Sequence, residues 1–274
     1  MADKLTGKTV VITGSTRGIG YAIAKAAAAE GANVVVSSRT APAVETAVAE
    51  ILAHGGSASG ITCDVSHQTD LEALLAHALS RWGRVDAWLN NAGISEGYRP
   101  LDELPPAQIE DIVRINLTGT MLACRLLIPY FRDHGGILVN MSGRGYRGEP
   151  TPYTASYAAT KAAIASLTGS LAAENKHTRV SIHALVPGMV DTDFYRDDMP
   201  VSSRLATSRG NVYLALNAFG VPLDVVGSKA VDVLAQEPGR VSGKTYNILK
   251  GTRLIRGIVL MSWWGMTGKM KREP

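Results

Sequence analysis

The sequence predicts an α/β protein: a single domain built on a doubly wound parallel sheet. Two observations lead there. Short β-branched runs alternate with alanine-rich amphipathic stretches between Thr9 and Val186, and several of those runs, such as VVVSS and ILVNMS, are strongly apolar. Strands of that kind suit a sheet covered on both faces, and each parallel step needs a helix to return the chain.

Taken in order, residues 9–13 read as the first strand and 18–30 as a helix that Gly31 closes. Residues 33–38 are strand and 43–54 helix, then 61–64 strand and 69–82 helix. Residues 85–90 form the fourth strand, followed by a long helix ending near Arg132. The fifth strand is 137–142, a helix covers 155–176, and the sixth strand is 179–186. No Pro/Gly/Ser-rich linker and no repeat interrupts this order. Residues 1–249 are expected to form one domain, with 189–222 as an irregular segment and 250–274 as a basic extension.

Composition narrows the function classes. Of 274 residues, 46% are hydrophobic and 19% charged, enough for a sizeable core. The net charge of +4 sits at the end of the chain, where Lys250, Arg253, Arg256, Lys269, Lys271 and Arg272 face one acid, Glu273. A near-neutral body argues against nucleic-acid binding. Two distant cysteines, Cys63 and Cys124, exclude a disulfide framework, and the six histidines lack ligand spacing, so no catalytic metal is expected. His183, inside the sixth strand, reads as a satisfied core residue. The first residues lack a signal-peptide layout and no apolar run reaches about 20 residues, which points to a cytoplasmic, soluble protein.

The chemistry begins after the first strand. Thr13 leads into Gly14, Ser15, Thr16, Arg17, Gly18, Ile19 and Gly20, which open a helix. Glycines there let the backbone approach a pyrophosphate, and the helix N-terminus favours its charge. The spacing is GxxxGxG, not the GxGxxG of the common fingerprint. At the end of the second strand an acid would hold the ribose of NAD, but the run is Ser37, Ser38, Arg39, Thr40. A guanidinium binds a 2′-phosphate that a carboxylate repels. Arg39 and Arg17 therefore point to NADP(H), the alternative being two solvated surface arginines.

Tyr157 and Lys161 stand four residues apart in SYAATK, on one face of a helix. A phenol of pKa about 10 lies about three units above working pH, a gap of about 4 kcal/mol. An ammonium about 4 Å away supplies a similar amount at an effective dielectric of about 20. The pair can make a phenol a usable proton donor. Near it the fifth strand delivers Ser142, the fourth ends in Asn90, Asn91, Ala92 and Gly93, and Asn116 lies in an apolar stretch, where it could bond backbone neighbours as a purely structural residue.

With these residues quoted, the chain resembles the short-chain dehydrogenase/reductase family, of the single-domain TGxxxGxG/YxxxK type, and hence a Rossmann-type fold. The similarity also takes in Asp64 and Val65 after the third strand, and Pro187, Gly188 and Thr192. The resemblance implies that Tyr157 exchanges the proton at the substrate oxygen while Ser142 hydrogen-bonds that oxygen. Lys161 would lower the Tyr157 pKa and hold the nicotinamide ribose, and Asn116 would position a water relay to Lys161. Asp64 and Val65 would lie at the adenine, Asn91, Ala92 and Gly93 along the cofactor, and Pro187, Gly188, Val190 and Thr192 at the carboxamide. Two departures stand out: Ser142 and Tyr157 are fifteen residues apart, two more than usual, and SGKTYNILKG lacks the familiar DGG ending.

The expected activity is NADPH-dependent reduction of a ketone or aldehyde, a small-molecule carbonyl/alcohol pair. The family places a mobile lid over 189–222, and Phe194, Tyr195, Met199, Tyr213, Leu214, Leu216 and Phe219 suggest a bulky apolar substrate, unless they only pack the segment onto the body. Arg144 and Arg147 either bind a substrate anion or are solvated loop charges. PTPYTASYAATK and VPGMVDTDF resemble the chlorophyll b reductase branch, and a 3-oxoacyl-thioester reductase is a further alternative. A non-catalytic NADP(H) sensor, or an isomerase or dehydratase, ranks lower because Tyr157 and Lys161 are both present. Family habit implies a homo-oligomer, dimer or tetramer. The tail mixes basic, aliphatic and aromatic residues; packing on the body or a subunit is preferred to contact with a membrane surface.

Overall fold

A computed structural model describes residues 3–192 and 200–267, with backbone only at 206–212 and 265–267. Seven parallel strands form one sheet in the order β3-β2-β1-β4-β5-β6-β7. The strands are β1 (Thr9–Ile12), β2 (Asn33–Ser38), β3 (Ser57–Thr62), β4 (Ala87–Asn90), β5 (Gly136–Met141), β6 (Val180–Val186) and β7 (Thr245–Asn247). Helices α1 (Gly18–Ala29), α2 (Ala41–Ala53), α3 (Gln68–Trp82), α4 (Pro106–Val113), α5 (Gly119–His134) and α6 (Ala155–Glu174) provide the crossovers. Then come α7 (Arg209–Phe219), α8 (Leu223–Leu234) and α9 (Thr252–Thr267). The doubly wound sheet is as expected, and its order reverses between β1 and β4, where such sheets bind ligands at the carboxyl ends of the strands.

Burial follows the sequence pattern. Every residue of β1, β4, β5 and β6 is buried, because helices cover both faces. One apolar cluster holds Ile12, Val36, Leu89 and Val139 with α1 and α8; the other holds Val11, Trp88, Leu138 and Ile182 with α3 and α5. Alternate residues of each strand thus serve opposite faces.

Several expectations need correction. The third strand starts at Ser57, not 61, since register with β2 (Asn33↔Ser57) recruits the weak strand formers SASG. The long helix is interrupted by a π-turn at Arg114–Thr118. Its full run, Pro106–His134, is 29 residues long and apolar enough to cross a bilayer by length and composition, contrary to the expectation of no such run. Half of its most apolar window is buried, and Ile112, Ala123, Leu127 and Phe131 are core, so the run packs the sheet.

The irregular reading of 189–222 also gives way. A bridge pairs Met189 with Gly220, Val201 pairs with Tyr98, and α7 fills the later part. Leu214 and Leu216 are buried, so these side chains pack the segment onto the body; Phe194, Tyr195 and Met199 lie outside the described residues. His183 is fully buried but neither ring nitrogen has a partner. It packs edge-on against Tyr246, and burial lowers its pKa to about 4, keeping the ring neutral. β7 forms without the DGG ending because its backbone still pairs with β6.

Candidate functional site

The glycine loop crosses the carboxyl end of the sheet. Gly14 and Gly18 take φ of 61° and 55°, a region that side chains disfavour. Gly20 lies against the Gly14 carbonyl and the Asn91 amide, where a Cβ would collide. Ser15 is buried, donating to Ile12 O at 2.6 Å and accepting from Ser37 N–H at 3.0 Å, so its hydroxyl ties β1 to β2. The N-terminus of α1 has no side-chain cap and no acid in its first turn. Its orphan N–H groups and positive dipole end therefore suit a dinucleotide pyrophosphate. Arg17 is exposed beside them, while Thr16 and Ile19 are partly buried.

Asn91 holds this loop in place. Its Nδ2 donates to Thr13 O at 3.0 Å and to Gly14 O at 2.9 Å, and Thr13 Oγ1 accepts from the N–H groups of Asn91 and Ala92. Beneath runs a buried polar chain. Trp88 Nε1 donates to Asn90 Oδ1, Asn90 Nδ2 to Asn140 Oδ1, and Asn140 Nδ2 to Thr168 Oγ1, at 2.9–3.0 Å. It fixes β4, β5 and α6 relative to one another, since a broken link would leave a buried polar group unpaired.

Helix α6 carries Tyr157 and Lys161 as predicted. Lys161 is only 3% exposed; its Nζ donates to Met141 O at 2.8 Å and lies 5.2 Å from the centre of the Tyr157 ring. Burial lowers its pKa to about 8. Gly93 borders both Asn116 Oδ1 and Lys161 Nζ. Asn116 sits in the π-turn, with its side chain spent on structure: Oδ1 accepts from Ile94 N–H and Nδ2 donates to Ile94 O, both at 2.8 Å, and Nδ2 also reaches Thr160 Oγ1 at 3.3 Å. It clasps the loop after β4 to α6.

Sequence reasoning missed Glu96. This carboxylate is fully buried and accepts from Tyr157 N–H through both oxygens, at 3.2 and 3.1 Å. It satisfies an orphan donor in the first turn of α6 and complements the helix dipole. Two residues on, Tyr98 N–H donates to Pro200 O at 2.8 Å, so one short loop joins the Tyr157 helix to the segment after 189. An acid three residues after the end of NNAG would have been the only clue. Tyr98 also meets Tyr153, the one non-glycine residue at positive φ (68°) among the described residues, ring centres 5.1 Å apart. That contact seats the two-residue insertion.

The expected place of Ser142 is corrected. Its side chain is 1% exposed and its hydroxyl donates to Lys161 O at 3.0 Å, inside α6's packing surface. Side chains alternate as the chain leaves β5, so the next residue faces the phenol. That residue is Gly143, where an added Cβ would lie 2.6 Å from Tyr157 Oη. The hydroxyl assigned to Ser142 is therefore absent from the phenol's side of the strand. Ser142→Ala is expected to leave kcat within about threefold while costing about 1 kcal/mol of stability in urea unfolding. Gly143→Ala should push the phenol aside and lower kcat by about tenfold or more. A large kcat loss in Ser142→Ala alone would reverse this placement.

The remaining predicted residues line the same edge of the sheet. Ser38 is partly buried, its hydroxyl bonded within the turn to Thr40, and Arg39 is exposed. Asp64 accepts from the Ser66 N–H and hydroxyl; burial would raise its pKa, but these bonds, with His67 and Arg39 nearby, hold it below the usual carboxylate range. Val65 is core. Beyond β6 and Pro187, Gly188 takes φ 86°, Val190 is buried, and Thr192 lies against the position of a Cβ on Gly18 at 3.6 Å. Arg144 and Arg147 are exposed, as the solvated-loop reading requires. No group of three or more metal-ligating side chains occurs among the described residues.

A sequence model described as short chain dehydrogenase matches residues 8–200. Chlorophyll(ide) b reductase NOL, chloroplastic, of Oryza sativa subsp. japonica is 37% identical over 243 residues, covering 86% of this chain and 68% of its own. The 3beta-hydroxysteroid dehydrogenase 1 of Eggerthella lenta is 34% identical over 261 residues, covering 94% of this chain and 98% of its own. A crystal structure of a variant actinorhodin polyketide ketoreductase with NADPH superposes with a TM-score of 0.77 at 28% identity, over 89% of this chain and 97% of that one.

Proposed function

The chain belongs to the short chain dehydrogenase family and is an oxidoreductase with a nicotinamide cofactor, and from that premise we propose that it is an NADPH-dependent carbonyl reductase acting on a bulky apolar ketone or aldehyde. The observation that carries the reading is the buried Lys161 ammonium beneath the Tyr157 ring, at the carboxyl end of β5. When bound, the reduced nicotinamide supplies the hydride to the carbonyl carbon. Tyr157 gives its proton to the carbonyl oxygen, so that an alcohol leaves, and Lys161 stabilises the phenolate that remains. Asn116 and Glu96 hold the helix and loop that aim the phenol. With Gly143 where a hydroxyl was expected, the proton donor in this reading is Tyr157, whose Oη lies where a side chain at 143 would stand.

The names of the relatives, a chlorophyll(ide), a hydroxysteroid and a polyketide, support large ring-bearing substrates. The 37% identity favours a chlorophyll(ide) b reductase-like activity as the second reading. Following NADPH absorbance at 340 nm with steroid ketones, a polycyclic quinone, chlorophyllide b and a 3-oxoacyl thioester tests this. Turnover confined to the thioester would refute the bulky-substrate reading; no turnover with any carbonyl would refute the reductase.

Cofactor choice has its own test. Arg39 is exposed at the end of β2, where no acid stands to bind a ribose 2′-hydroxyl. Arg39→Asp is expected to shift the NADPH:NADH ratio of kcat/KM towards NADH by about 10²-fold, the scale of one charge-assisted pair exchanged for a repulsion. An unchanged ratio would remove Arg39 from the assignment.

A further inference from the structure

Helix α9 meets the body on one side. Gly257 is buried there against the Phe219 ring of α7, so close that a Cβ would overlap it. Around the rest of the helix Leu254, Ile255, Ile258, Val259, Met261 and Trp263 are 38–61% exposed. At about 100° per residue they fall within one arc of roughly half the circumference, interrupted among the exposed side chains there by Ser262. Exposed Arg256 stands at the edge of that arc and half-buried Arg253 behind it. This reverses the usual surface helix, whose outward face is polar.

An apolar face of this size marks a protein or membrane contact. Charge distinguishes the two. Among the described residues from Lys250 onward the charged side chains are Lys250, Arg253 and Arg256, all basic. In a two-fold contact this patch would meet itself and set like charges together. A bilayer bearing acidic lipid headgroups instead accepts the apolar arc and attracts the flanking cations, and tryptophan suits that boundary.

We infer that the outward face of α9 docks on an anionic membrane surface, lying in its plane and holding the catalytic domain against it. The inference does not depend on the proposed reaction. Full-chain protein is sedimented with phosphatidylcholine vesicles and with vesicles containing phosphatidylglycerol. Binding should be at least about tenfold stronger to the anionic vesicles and weaken in high salt. Ile258→Glu with Val259→Glu should lose about tenfold or more of that binding without altering thermal melting or NADPH turnover. Lys250→Glu with Arg256→Glu, which leaves the apolar arc intact, should erase the preference for anionic lipid. Failure to bind anionic vesicles overturns the inference, as does binding that neither pair of substitutions weakens. A wild-type oligomer that the Ile258/Val259 pair converts to monomer, with no vesicle binding, would make the face a subunit contact instead.

Discussion

Tyr157→Phe is expected to lower kcat for carbonyl reduction by about 10²–10⁴-fold, the usual contribution of a positioned general acid. The substitution removes only the hydroxyl. The ring would keep its place over Lys161 Nζ, and the first turn of α6 would keep its bond to Glu96, because that bond uses the backbone N–H. Affinity for NADPH, measured by fluorescence titration, should therefore change by no more than about threefold. Chemistry and binding separate in this variant. Turnover within about threefold of wild type would sink the assignment.

The second large effect is at Lys161. At about 5 Å and an effective dielectric of about 20, a unit charge contributes about 3 kcal/mol to a nearby phenolate, so Lys161→Met should lower kcat by roughly 10²-fold. Burial sets the pH range of that help. With a pKa of about 8 the amine is mostly cationic at neutral pH and loses its proton above 8. Reductase kcat/KM in the wild type should consequently fall above about pH 8, and this limb should be missing from the residual activity of the variant.

Stability has a matching sign. Between about 8 and the ordinary value of 10.5, the unfolded chain holds a proton at Lys161 that the folded chain has released. The folded wild type bears the full cost of the buried charge below pH 8 and none of it above 10.5. Urea unfolding should therefore show the balance between wild type and Lys161→Met moving towards wild type across that window. A pH-independent difference would contradict the burial.

Much of the architecture was legible because it depends on local pattern. Apolar strands alternating with alanine-rich helices leave few sheets to choose from, and a glycine loop after the first strand locates the switch point. The YxxxK spacing placed a phenol and an amine on one helix face without any coordinates. Site details were harder. Whether Ser142 or its neighbour faces the phenol depends on how the chain leaves β5, and a strand's two faces differ by a single residue. Glu96 was invisible for a similar reason, since its partner Tyr157 lies sixty-one positions away.

The tail shows the division most clearly. Gly257 is the point at which α9 closes on Phe219, and no other residue would allow that approach. Sequence alone determined the sheet, the dinucleotide loop and the Tyr157–Lys161 pair, because these follow from periodicity and short-range spacing. Only the tertiary structure decided which hydroxyl is sequestered, which carboxylate caps the active helix and which face of α9 meets the outside. Those choices depend on contacts between residues far apart in the chain, and local propensity carries no record of them.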